Sequence, residues 1–212
     1  MTVSEMILAV ADLMGLSGSL TSTDATRLTR FVNLGKDRVV GTAKWAWLET
    51  STTQLFTSGT RVYTPLVLMN SVTGIQDASG NRIIKVERDT YDELYNADTS
   101  TAPAPSNYTV KGFSTAGTHS IHVWPEPSAN SSGILRYIAR VPDVAVAGST
   151  GSYDHIPTGL HHAVVVAAKG EFYKQEQNVA LAQLSEAEYQ DAINGYMGKT
   201  LSPLAYDGAE KA

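Results

Sequence analysis

The sequence predicts an α+β protein: a helical bundle, two helices from the N-terminal region and two from the C-terminal region, packed with an antiparallel β-sandwich or barrel-like domain. Three observations predict it. Apolar residues recur at helical spacing up to about Ala46 and again from Leu160 to Tyr196. From Thr50 to Val141, short β-prone runs alternate with turn signals at Ser58-Gly59, Ser79-Gly80-Asn81, Ala116-Gly117 and Ser132-Gly133. The two regimes meet in Lys44–Pro65, KWAWLETSTTQLFTSGTRVYTP, where Trp45 and Trp47 stand an i,i+2 step apart. Indoles of this size need burial and an acceptor for each N–H. They are expected to anchor the junction, with Tyr63, Trp124 and Tyr137 as further structural core. The expected boundaries are 1–48 for the N-terminal helices, 49–142 for the β domain, 143–156 for a loop, 157–198 for the C-terminal helix pair and 199–212 for a tail.

Thr2-Val3-Ser4-Glu5 has the capping-box form, and Ile7, Val10, Ala11 and Met14 follow one helical face that Gly15 and Gly18 end. The cluster Thr21–Asp24 offers N-caps for a longer helix with the stripe Leu28, Phe31, Val32, Gly35, Val39 and Ala43, and Arg27, Arg30 and Lys36 elsewhere on the cylinder. Strands are expected at Ile83–Val86, Asn107–Val110, Ile121–Trp124 and after Ile134. There Leu135, Tyr137, Ala139 and Val141 share one face, with Arg136 and Arg140 on the other. Pro125, Pro127 and Pro142 end strands. Arg88–Tyr95 reads as a short helix, and Asn96–Ser106, with Ala102-Pro103-Ala104-Pro105, as a flexible or polyproline-like loop. Asp143–His155 is a second loose loop. Ile156-Pro157 opens a helix that is apolar around most of its circumference, and Asn178 caps a fourth that Gly198 and Pro203 stop. The three segments Asn96–Ser106, Asp143–His155 and Leu201–Ala212 are expected to order only in an assembly.

Composition excludes several function classes. The chain has no cysteine, hence no disulfide, thiolate nucleophile or cysteine-ligated zinc. With 17% charged residues and a net charge of −5, it is not a bulk polyanion binder. The charge is uneven. Arg27, Arg30, Lys36, Arg38 and Lys44 outweigh Asp24 and Asp37 between Thr21 and Leu48, whereas Gly151–Ala212 is acidic. Opposite signs of this kind attract within a subunit or between copies. Met1–Gly15 lacks a basic run and carries Glu5 and Asp12, so no secretion signal is expected there. No apolar run approaches the roughly 20 residues that cross a bilayer, so no membrane partner is expected and the chain is expected to be soluble.

No reactive constellation stands out. His161 and His162 diverge by about 100° on a helix, so with Glu171 they make no ligand face. Asp154-His155 lies in a loop without a nucleophile, and His119 and His122 read as surface residues. No phosphate-binding glycine loop and no G-x-S-x-G occurs. No catalytic residue, cofactor or metal is expected.

The segment order is two helices, a W-x-W-L exit, and a β domain entered by Gly59, Tyr63 and Pro65. Trp124-Pro125-Glu126-Pro127, the strand Tyr137–Pro142 and the proline-led run Ile156–Ala168 follow. This order resembles the head-to-tail adaptor (connector) proteins of tailed bacteriophages over about Thr21–Tyr196. The resemblance implies a non-enzymatic virion protein of the phage neck, assembled in the host cytoplasm. Copies would form a ring, commonly dodecameric, with the portal protein and the next tail or neck protein as partners and DNA as passing channel content. A closed ring needs unlike faces in contact. The candidates are the basic second helix (Arg27, Arg30, Lys36) and the acidic C-terminal region (Glu171, with Leu201, Leu204 and Tyr206). The alternative is a phage recognition module that binds a host glycan or protein through the β-domain loops, with Trp124 and Tyr137 exposed.

Overall fold

The computed structural model describes residues 1–16, 20–65, 67–95, 97–113, 119–144 and 154–201, without the side chains of Phe113, Lys199, Thr200 and Leu201. The fold is α+β, and the chain divides into two compact units. One is helical and is built from Met1–Lys44 and Val141–Ala212; the other, Trp45–Arg140, holds the strands.

In the helical unit, α1 (Val3–Leu13) starts at a complete capping box: the Thr2 hydroxyl accepts from the Glu5 N–H at 3.1 Å and the Thr2 N–H donates to the Glu5 carboxylate at 2.7 Å. Thr21 and Asp24 repeat the device for α2 (Ser22–Thr42). This helix stops short of the expected Ala46 because Ala43 turns to extended backbone, and a 3₁₀ turn follows at Ala46–Leu48. Pro157 introduces a further 3₁₀ turn, Thr158–Leu160, and α4 (His161–Gln175) begins only after it. Asn178 caps α5 (Val179–Leu201) through the Leu181 N–H at 3.2 Å. That helix runs through Gly198, which does not stop it as expected; an isolated helical glycine costs about 1 kcal/mol and neighbouring turns carry it.

α4 is the centre of the unit, in contact with α1, α2 and α5, which explains its unbroken run of buried residues Ala163–Ala168. Its approach to α2 requires glycine at position 35, where a Cβ would lie 2.4 Å from the Val164 carbonyl oxygen and 2.8 Å from the Ala168 nitrogen. Phe31 and Phe172 close the same interface edge to face, 5.7 Å between centroids.

Two α2 side chains hold the returning segment Val141–Val144. Asn33 accepts from the Val144 N–H at 2.7 Å and donates to its carbonyl at 3.2 Å. The Lys36 ammonium bonds Asp143 at 2.5 Å and Asp37 at 2.9 Å. Asn33→Ala leaves a partly buried donor and acceptor unpaired, and is expected to cost about 1–2 kcal/mol, measured as a lower urea midpoint.

In the other unit the strands are β1 (Glu49–Phe56), β2 (Val62–Tyr63), β3 (Met69–Gln76), β4 (Arg82–Lys85), β5 (Thr101–Ala102), β6 (Asn107–Phe113), β7 (His119–Trp124), β8 (Glu126–Pro127) and β9 (Ser131–Ala139). Seven form one sheet in the order β1-β9-β3-β4-β6-β7-β2. Its pairings are antiparallel except β4 with β6, and a separate pair, β5 with β8, is also parallel. The helix α3 (Arg88–Leu94) and the residues after it form the crossover that lets β6 run alongside β4 in the same direction. Sheet curl gathers Phe56, Tyr63, Met69, Ile75, Ile83, Tyr108, Ile121, Val123, Leu135 and Tyr137 into one apolar cluster on the inner face. At Gly133 the strands approach so closely that a Cβ would stand 2.1 Å from the Gln76 carbonyl oxygen.

The expectation of a loose Asn96–Ser106 loop fails for the described residues 97–106. Ser100 accepts from the Glu126 N–H at 3.0 Å, Ala102 from the Ser128 N–H at 2.7 Å, and the Ser106 N–H donates to Trp124 at 3.0 Å. Prolines had masked these backbone bonds, which alternate around them. Asn96, residues 145–153 and residues 202–212 lie outside the described set, as do Leu204 and Tyr206.

Candidate interaction surfaces

Tyr63 is buried and its hydroxyl closes the turn after β1, accepting from the Thr57 N–H at 3.0 Å and donating to the Thr60 carbonyl at 2.7 Å. Burial pushes this phenol above its usual range. The turn is fixed to β8 by the Gly59 N–H on the Pro127 carbonyl and to the β8–β9 connection by the Ser58 N–H on Asn130. Trp124 is half-buried and stacks on Tyr95 at 4.3 Å between centroids. Its indole N–H meets no acceptor in hydrogen-bonding geometry, although the Asp98 carboxylate is near enough to be favoured by it. Asp98 stays below the usual carboxylate range chiefly through the Ser100 hydroxyl and N–H. Arg61 completes this corner with bonds to the Tyr95 and Asp98 carbonyls. Its Nε lies 3.4 Å from Glu126, a charge contact without hydrogen-bond alignment. Tyr137 is buried in the inner-face cluster. The recognition-module alternative needs both rings exposed; Tyr137 is buried and Trp124 is half-buried.

The histidines divide differently from the sequence reading. His119 is buried, not exposed, because it shares the inner face of β7 with Ile121 and Val123, and its Nε2 bonds the Asn70 carbonyl at 3.0 Å. His122 is half-buried against Tyr91, and desolvation holds it below the usual imidazole range, with Lys111 adding to the effect. His161 is a satisfied core residue: Nε2 bonds the Ile156 carbonyl at 2.8 Å and Nδ1 the Met1 amine at 3.1 Å. His162 is exposed, as are Asp154 and His155 before α4. Among the described residues no group of three His, Asp or Glu side chains is placed to hold a metal ion.

Charges on α2 close onto the C-terminal helices within one subunit. Arg27 pairs with Glu176 and lies over the Phe172 ring at 5.3 Å. Arg38 bonds both oxygens of Glu186, lies 3.9 Å from Glu171, and stacks over Tyr189 at 4.2 Å. Lys169 pairs with Glu188, and Glu171 with Lys174 at 2.7 Å. The Arg38 hydrogen bonds, then that from Gln190, hold the Glu186 carboxyl below the usual range. A carboxyl depressed in the folded state contributes stability above its unfolded pKa and loses it as pH falls through the folded value. Acid unfolding of Glu186→Gln is therefore expected to be flatter than that of the parent below the ordinary glutamate range, read from urea midpoints against pH.

A family model described as SU10 adaptor protein matches residues 1–207. The chain belongs to the SU10 adaptor protein family. Among curated proteins none matches it. The phage-adaptor resemblance carried by the order of segments is thereby shown over nearly the whole length. No helix among the adaptor's described residues is long and apolar enough to cross a membrane.

For this adaptor, the sequence-derived interface candidates need revision. Lys36 is only 1% exposed and its charge is satisfied inside the subunit, so it offers nothing to a neighbour. Its ammonium reaches water-facing carboxylates along the edge of the apolar stripe, where the helical period places it: Val32 (i−4) and Val39 (i+3) share its face, so Lys36 does not lie elsewhere on the cylinder as expected. Arg27 and Glu171 are engaged as described above, Arg30 is exposed, and Leu201 ends α5.

Proposed function

We propose that the chain forms a ring of copies that docks on the portal, continues the DNA channel and offers a surface for the next tail component. Membership of an adaptor family over residues 1–207 carries this reading. Two compact units in one short chain support it, since an adaptor must meet one assembly above and another below. The low charge supports it as well: a wall that passes DNA must not grip its phosphates. The partners are the portal, neighbouring copies and the next neck or tail protein, and the location is the virion neck.

Sedimentation and electron microscopy of the full chain, alone and with the portal of the same phage, test the reading. The expected result is a ring stacked on the portal, assembled from weakly associating subunits whose effective concentration the portal raises. A chain that sediments apart from the portal at every concentration overturns it.

A further inference from the structure

We propose that neighbouring copies join through the β unit, the acidic outer side of α3 in one copy docking on the outer face of strands β4, β3 and β9 in the next. This rests on the ring reading above and names the contact that closes the ring.

The docking face follows from register. Gln76 stands opposite Arg82 on one neighbour and Ile134 on the other, and Arg136 stands opposite both Gly74 and Ser51. Their inward neighbours Ile75, Ile83 and Leu135 are fully buried, so Arg82, Ile134 and Arg136 share the outer side, with Arg140 further along the strand direction of β9. All three arginines are exposed, and none has an ion-pair partner among the described residues. Exposed Ile84, Ile134 and Leu55 lie between and beside them. A basic, partly apolar sheet face of this kind fits an acidic, partly apolar protein surface.

The same unit carries one. Tyr91 buries the inner side of α3, its hydroxyl on the Val123 carbonyl at 2.9 Å, and Asp92 is paired with Lys111 and Arg88. The outward side presents Asp89 and Glu93 one turn apart, with Glu87 at the N-cap and exposed Leu94 beside them. These three acids are also without ion-pair partners among the described residues. Like charges at i and i+4 repel, a cost that an opposing basic surface removes. α3 lies over the outer face of β6 and β7, with Tyr91 against His122 and Asp92 on Lys111, whereas Arg82 and Arg136 stand on β4 and β9, so the two patches occupy different strands of one sheet. Two unlike patches on one subunit make a head-to-tail contact, the kind a cyclic ring requires.

The test is a charge swap in the full chain: Arg82→Glu with Arg136→Glu, Asp89→Lys with Glu93→Lys, and all four together. Each reversal alone is expected to weaken self-association about tenfold. Association should return when the two reversed chains are mixed and when all four changes share one chain. Arg136→Gln and Glu93→Gln give smaller losses in the same direction and guard against a folding defect. The chain has no cysteine, so Thr90→Cys in one copy and Ile84→Cys in another should form a disulfide only if the contact exists. Rings that survive both reversals, or mixtures that fail to recover, overturn this contact and leave the ring reading intact. A parent chain that never self-associates, with or without portal, overturns both. If the sheet reversal removes binding to duplex DNA and leaves copy–copy association unchanged, the face is a nucleic-acid surface and the contact proposed here is wrong.

Discussion

Trp45→Ala is expected to destabilise the protein by about 3–5 kcal/mol, seen as a large drop in the urea midpoint and loss of soluble expression at 37 °C. Trp45 is only 7% exposed and lies in extended backbone just after α2 ends. Truncation there leaves a void that the backbone cannot collapse to fill, because the 3₁₀ turn Ala46–Leu48 and then β1 fix the path of the chain after it. Trp47, whose ring centroid is 6.4 Å from that of Trp45, behaves differently. It is half-buried, and its indole N–H is enclosed without an acceptor. Trp47→Phe keeps an aromatic body and removes the unpaired donor, so it should be near neutral. A Trp45→Ala chain as stable as the parent would remove Trp45 from the set of anchoring residues.

Gly35→Ala should be destabilising by roughly 3 kcal/mol, against the helix-propensity gain of about 1 kcal/mol that the sequence alone promises. The added methyl meets backbone atoms of α4 at 2.4 and 2.8 Å, and backbone cannot rotate away. The helices must part, and the buried faces of Val164 and Ala168 lose contact with α2. Gly41, in the last turns of α2, has nothing within 4 Å of an added Cβ. Gly41→Ala is the matched control and should stabilise by about 0.5–1 kcal/mol. Equal effects at the two positions would show that α2 and α4 are not in close contact at Gly35.

Helices were legible because their signals are local. Both N-terminal capping boxes lie within four residues, and the stripe Leu28, Phe31, Val32, Gly35, Val39 is a period visible in one dimension. Strand alternation from Leu135 to Tyr137 was visible for the same reason. What depends on distant partners was not. The parallel pairing of β4 with β6 is set by where the crossover returns, and the burial of His119 by an Asn70 carbonyl far away in sequence. Lys36 sits in the apolar contact because Asp143, over a hundred positions later, arrives to meet it. The arginines of the outer sheet face could be assigned to a side from alternation, but that none of them meets a carboxylate among the described residues became visible only in three dimensions.

The excursion of the chain out of the helical unit at Lys44 and back at Val141 sets an order of events during synthesis. Residues Trp45–Arg140 are contiguous, so the β unit can complete itself as soon as it clears the ribosome. The helical unit cannot, because its central helix α4 is made last but one. At roughly 5–20 residues per second, α1 and α2 wait on the order of ten seconds with their apolar stripes uncovered. They are the part of the nascent chain that a chaperone would hold.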